Sequence, residues 1–259
     1  MNTIDKDYFE QIELEGIASV LESKFRLKKG ISCKNVCEIE ALEYNYEALA
    51  IINFYYKHNI VEGKTLFYQA SLCRECLIEH YDKYEKVISV ENVTTYSYPT
   101  LYHGILSGNK EHMLKRAKLF GKYSYLEQNE FLANKLLGYA LKYVILNDVE
   151  NANKWLDELQ KVKDKRGMKQ LATGQGRAMR GLINHDEKEF NAGILTMLKN
   201  HVGRMKKEGD FLLQFFAYDS VALVMLAKDR EINVTVKHEL LPDEYFLETN
   251  MDYDTITML

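Results

Sequence analysis

Three joints in the middle of the chain repeat one design, and a chain built on such joints is committed to stacked helical hairpins. Ile105-Leu106-Ser107-Gly108-Asn109-Lys110-Glu111, Val144-Ile145-Leu146-Asn147-Asp148-Val149-Glu150 and Leu182-Ile183-Asn184-His185-Asp186-Glu187-Lys188 each close an apolar run, turn on a small or polar pair, and restart at Asn or Asp. A side-chain oxygen at that position satisfies the free N–H groups in the first turn of a new helix. The caps Asn109, Asp148 and Asp186 stand 39 and 38 residues apart. Units of that period bury their apolar faces only by leaning on neighbours, and they leave extended surfaces for partners. The expected fold is all-α, an array of stacked hairpins, with at most one short extended segment near 232–236.

The rest of the chain fits that scheme. Pro occurs only at Pro99 and Pro242, and no Gly/Ser-rich stretch interrupts the 259 residues. A single helical domain over 1–259 is therefore expected: N-terminal helices in 1–95, hairpins in 98–207, and a buried helix with an acidic tail in 209–259. Leu14, Ala18, Leu21 and Phe25 mark a face of the first helix, which Lys28-Lys29-Gly30 closes. Phe211 to Lys228 reads as one long buried helix, and its apolar core is too short and too polar for a membrane span. Glu231 to Lys237 alternates apolar with polar residues, which favours an extended segment. Pro242 followed by Asp243 and Glu244 is a helix start, and Asn250 to Leu259 should be loosely held. The first residues lack the basic and apolar blocks of a secretory signal, so a cytoplasmic location is expected.

Charge is segregated. The net charge is −4, yet Glu239, Asp243, Glu244, Glu248, Asp252 and Asp254 share the last 21 residues with no Lys or Arg. From Lys161 to Arg180 the balance reverses, with seven cations against Asp164 alone. Such blocks are either solvated faces or surfaces for an oppositely charged partner.

No catalytic signature accompanies the helices. The cysteines fall as Cys33/Cys37 and Cys73/Cys76, but the second pair lies inside a periodic helix, so neither zinc nor a disulfide is expected. Gly174-Gln175-Gly176 follows no strand and suits close helix packing better than phosphate binding. Asp219, inside an apolar helix, needs a Tyr, Arg or backbone partner. The spacing of Arg180 and His185 resembles that of the helical HEPN ribonucleases, in which His would act on a ribose hydroxyl and Arg hold the phosphate. Gly181 stands where those proteins usually carry a polar residue, and His185 occupies a hairpin turn.

The C-terminal third resembles bacterial immunity proteins of the immunity protein 49 family. The resemblance is carried by Asn184-His185-Asp186-Glu187-Lys188-Glu189-Phe190-Asn191, the helix Ala217-Tyr218-Asp219-Ser220-Val221-Ala222-Leu223, its exit Ala227-Lys228-Asp229-Arg230-Glu231-Ile232-Asn233-Val234, and Leu240-Leu241-Pro242. In such proteins the exit usually carries a small residue where this chain has Glu231. The resemblance implies a cytosolic, non-enzymatic antitoxin that occludes the active site of a secreted toxin domain. If that toxin is a nuclease with a basic groove, the inhibitor should answer with acids. The toxin-binding residues expected on that ground are Glu239, Asp243, Glu244, Glu248, Asp252 and Asp254 for steering, with Tyr245, Phe246 and Tyr253 as anchors. No cofactor, metal, membrane or nucleic acid is expected as a partner. The alternatives are a tetratricopeptide-like adaptor using the 161–180 cations as a groove, and a ribonuclease using Arg180 and His185.

Overall fold

The computed structural model describes residues 3–129, 131–208 and 211–259, and among them every regular element is helical. Three long helices come first: α1 (Thr3–Leu27), α2 (Cys37–Tyr55) and α3 (Ile60–Tyr84). The hairpins follow as α4 (Leu101–Leu106) with α5 (Lys110–Leu119), then α6 (Leu132–Ile145) with α7 (Val149–Lys161). The third pairs α8 (Met168–Leu171) and α9 (Arg177–Ile183), joined by a π turn over Ala172–Gly176, with α10 (Glu187–Glu208). The last helices are α11 (Phe211–Phe215) and α12 (Tyr218–Asp229).

The joints have the geometry that their residues dictate. Asn109 Oδ1 accepts from His112 N at 2.9 Å, Asp148 Oδ1 from Asn151 N at 3.0 Å, and Asp186 Oδ1 from Glu189 N at 3.0 Å. The residue before each cap is left-handed: Gly108 at φ 77°, Asn147 at 56°, His185 at 54°. A fourth joint of the same kind links α2 to α3. His58 is left-handed at φ 52°, and Asn59 Oδ1 accepts from Glu62 N at 3.2 Å. The design therefore extends into the N-terminal half, where the spacing of the other three gave no hint of it.

One apolar core runs from Val20 of α1 to Tyr245 near the C-terminus. Phe54 of α2 is its hub, with ring centroids at 5.7 Å from Phe67, 5.4 Å from Phe216 and 5.2 Å from Tyr245. Phe216 also breaks the long helix expected over 211–228. The chain leaves helical geometry at Ala217 (φ −83°, ψ 69°), which turns Phe216 into the ring cluster while α12 packs on α4. At the crossing of α9 and α10 two glycines bring the backbones together. A methyl group on Gly181 would lie 2.2 Å from Phe190 N, and one on Gly193 2.3 Å from Ala178 N.

The face of α1 marked by Leu14, Ala18, Leu21 and Phe25 is turned outward. The buried line is Phe9, Gly16, Val20, Ser23 and Leu27. Small residues at Gly16 and Ser23 let that line sit close on α2, with the Leu49 methyls packed over Gly16.

Candidate functional site

The acidic C-terminal segment is an ordered strap, built in three stretches. Residues 232–238 run extended, with Ile232 buried and Val234 and Val236 half-buried as their alternation requires, and a turn then buries Leu240. Among the described residues no strand pairs with them; the side chain of Asn191 on α10 does. Its amide donates to the Asn233 carbonyl (2.9 Å), and its oxygen accepts from Thr235 N (2.7 Å) and Val236 N (3.3 Å). Pro242 then precedes a single helical turn, Asp243–Phe246, in place of a full helix.

Residues 247–258 cross α2, α3 and the first hairpin joint, and they are tied down rather than loose. Lys64 Nζ donates to the Leu247 carbonyl (2.8 Å) and to Thr249 Oγ1 (3.2 Å). Tyr253 OH donates to the Ser107 carbonyl (2.7 Å), Gln69 Nε2 to that of Thr257 (2.8 Å), and Tyr46 OH to that of Met258 (2.7 Å). Burial lowers the Lys64 ammonium below its ordinary pKa. Between strap, α3 and α12 lies a cleft of about 260 Å³ that exposes Lys110, Lys228, Asp229 and Glu248.

The nine residues singled out in the sequence fall into four groups. Tyr245 is withdrawn from any partner: it is 2% exposed, its ring locked between Phe54 and Phe216, and burial raises its phenol pKa. It is a core residue, which corrects the expectation of a surface anchor. Two acids are engaged within the chain, Asp243 by Lys237 at 3.0 Å and Glu244 by His58 Nδ1 at 2.6 Å. Glu239, Glu248, Asp252 and Asp254 are exposed and have no ion pair among the described residues, although Asp252 caps its own turn. Phe246 and Tyr253 are half-buried, Phe246 beneath the Lys228 ammonium and Tyr253 edge-on to Tyr68.

Three of the seven cations in the basic stretch are answered by carboxylates of α7 and α10. Arg177 makes two 2.8 Å bonds to the Glu189 carboxylate, Arg180 Nη2 bonds Asp157 at 2.7 Å, and Lys161 bonds Glu158 at 2.7 Å. Asp219 finds backbone and amide partners, Ser220 N at 2.7 Å and Gln175 Nε2 at 3.2 Å. Cys33, before α2, and Cys37, its first residue, are exposed, whereas Cys73 is buried in α3.

A buried ionic cluster between α2 and α5 has no signature in the order of residues along the chain. Arg74 Nη2 meets Glu43 Oε2 at 2.6 Å, and His103 Nε2 meets Glu47 Oε2 at 3.1 Å. Arg116 is 1% exposed, and burial holds its guanidinium down to about 10. These groups face one another rather than a cleft, so the cluster fits a role in fixing helix register. The strap's anchors were equally invisible, because their contacts join residues 146 to 212 positions apart.

The model of the immunity protein 49 family matches residues 107–245. The chain belongs to that family. The matched region opens at the Ser107 joint and closes on the ring of Tyr245, so it takes in the three hairpin caps and the extended segment. No match was found among curated proteins or among solved structures. Glu231 lies at φ 59° with Ile232 N bonded to the Ala227 carbonyl at 2.9 Å. Glycine adopts that left-handed exit without strain, so a small residue would suit the position better than Glu231 does.

Proposed function

We propose that the chain neutralises a cognate toxin by binding it without chemistry of its own, in the cytoplasm, and that the outer side of the strap makes the contact. Family membership carries this reading. The strap supports it by presenting Glu239, Glu248, Asp252 and Asp254 on backbone already fixed by Asn191, Lys64 and Gln69. A preordered acidic rim loses little freedom on binding and steers a basic partner, such as a nuclease domain with a groove for nucleic acid. Asp243 and Glu244, held by Lys237 and His58, contribute less. Phe246 is the aromatic placed to anchor the contact.

The test takes as candidate partners the toxin domains encoded in the same genome, expressed and screened for binding, and measures stopped-flow association at several salt concentrations. Glu239→Gln, Glu248→Gln and Asp254→Asn together should slow association about tenfold at low salt and flatten its salt dependence. Phe246→Ala should speed dissociation, with a loss of roughly 2 kcal/mol in binding. Unchanged association by the folded triple variant would move the contact off the strap.

A further inference from the structure

An apolar stripe that the described residues leave uncovered runs along α1. Leu14, Leu21 and Phe25 are 70%, 63% and 77% exposed, and Ile17 is 42% exposed. Their spacing of i, i+3, i+7 and i+11 lines them up on one helix face over about 17 Å. Tyr44, 73% exposed, lies level with the middle of the stripe, because the neighbouring Asn45 bonds Ser19 of α1 at 2.9 Å. Scattered exposed apolar residues need no explanation, but a contiguous line of them marks an interaction surface.

The charges around the stripe say what covers it. Asp7, Glu10, Glu13 and Glu15 precede its midpoint against Lys6 alone, while Lys24, Arg26, Lys28 and Lys29 follow it against Glu22 alone, so residues 6–15 carry −3 and residues 20–29 carry +3. A second α1 laid parallel would set like charge on like. Laid antiparallel, it sets each acidic half beside a basic half, with Leu14 facing Phe25 and Ala18 facing Leu21. A pattern that is its own complement about its midpoint is what a two-fold interface between identical chains demands. We propose that α1 forms a symmetric homodimer interface, in which two copies of this chain pair their first helices antiparallel through Leu14, Ile17, Leu21 and Phe25. Glu13 is already held by Lys57, and Arg26 by Glu22 and Glu38, whereas Glu10 has a bond from Tyr56 and only a long, exposed contact with Lys6 at 3.7 Å, so Glu10, Glu15, Lys24 and Lys28 are the charges to test. A contact of one helix pair is small, which places the dissociation constant on the order of micromolar.

Sedimentation velocity of the full chain, from about 1 to about 300 µM, tests this. The mass should rise with concentration from 30.2 kDa toward twice that value. Leu21→Glu and Phe25→Glu, each confirmed folded by circular dichroism, should stay monomeric throughout. A Glu10→Lys/Glu15→Lys variant and a Lys24→Glu/Lys28→Glu variant should each self-associate at least tenfold more weakly, and pair when mixed. A wild-type chain that stays monomeric, a dimer indifferent to Leu21→Glu, or charge variants that do not pair on mixing would overturn the proposal. So would a monomeric wild type that loses toxin binding on Leu21→Glu, since the stripe would then belong to the toxin.

Discussion

At the scale of single residues, the fold spends side chains where glycine or an apolar group would be easier. Glu231 is left-handed, a conformation that costs an L-residue with a side chain about 1–2 kcal/mol. Its exposed carboxylate makes no ion pair among the described residues that would offset this strain. Glu231→Gly should therefore raise the unfolding free energy by about 1 kcal/mol in urea titration, after the extra freedom glycine gains in the unfolded chain is subtracted. His112 is the opposite case, a titratable group made silent by burial. It is packed behind Ser71, whose Oγ lies 2.8 Å from Nε2, with Glu75, Lys115 and Arg116 around it. Burial first, then the neighbouring Arg116 and Lys115, push its pKa down to about 3. Below pH 6.5 the unfolded chain takes up a proton that the folded chain refuses, so stability falls as the pH drops. The loss between pH 6.5 and pH 5 should be about 2 kcal/mol. Urea midpoints at the two pH values should differ accordingly in the wild type, and the difference should shrink in His112→Gln.

At the scale of elements, the α9–α10 crossing is the contact most sensitive to a single methyl group. Gly181→Ala would drive a carbon into the Phe190 backbone and Gly193→Ala into that of Ala178, and backbone cannot yield as a flexible side chain can. Each should destabilise by about 3 kcal/mol or more in thermal melts, with Gly203→Ala, which meets nothing within 4 Å, as the tolerant control. The same crossing explains why position 181 is not polar, as it would be in an Arg/His ribonuclease site: α10 occupies the space. The break between α11 and α12 has a comparable origin. An apolar run from 211 to 228 satisfies helix periodicity, but burying Phe216 against Phe54 and Tyr245 outweighs two more helical hydrogen bonds.

At the scale of the whole molecule, the strap closes the C-terminal segment over helices from the first half of the chain. Lys64 is its central post, so Lys64→Met should free residues 247–249 and leave the hairpins intact. Hydrogen exchange should then show faster amides from 247 to 258 with unchanged protection in α6 and α9. Equal protection across the strap would show that Tyr253, Gln69 and Tyr46 suffice to hold it. Because the proposed toxin contact lies on this strap, the same variant should weaken toxin binding by loosening a surface that is otherwise preorganised.

What the sequence determined by itself was local. Caps at Asn109, Asp148 and Asp186, the alternation over 231–237 and the family pattern from 184 to 242 are written in neighbouring residues, and local hydrogen bonds execute them whatever lies beyond. Which face of α1 is buried was not local, because Leu14-Leu21-Phe25 and Phe9-Gly16-Val20-Leu27 are both apolar lines. Only the close approach of α2 over Gly16 selects between them. The fate of Tyr245 and the anchoring of the tail were likewise decided by tertiary structure. An acidic, aromatic segment reads as solvent-exposed until Phe54, some 190 residues earlier, arrives to bury its tyrosine and Lys64 to hold its backbone. Periodicity records which residues are apolar; the free energy of packing depends on what stands opposite them, and only the assembled chain supplies that.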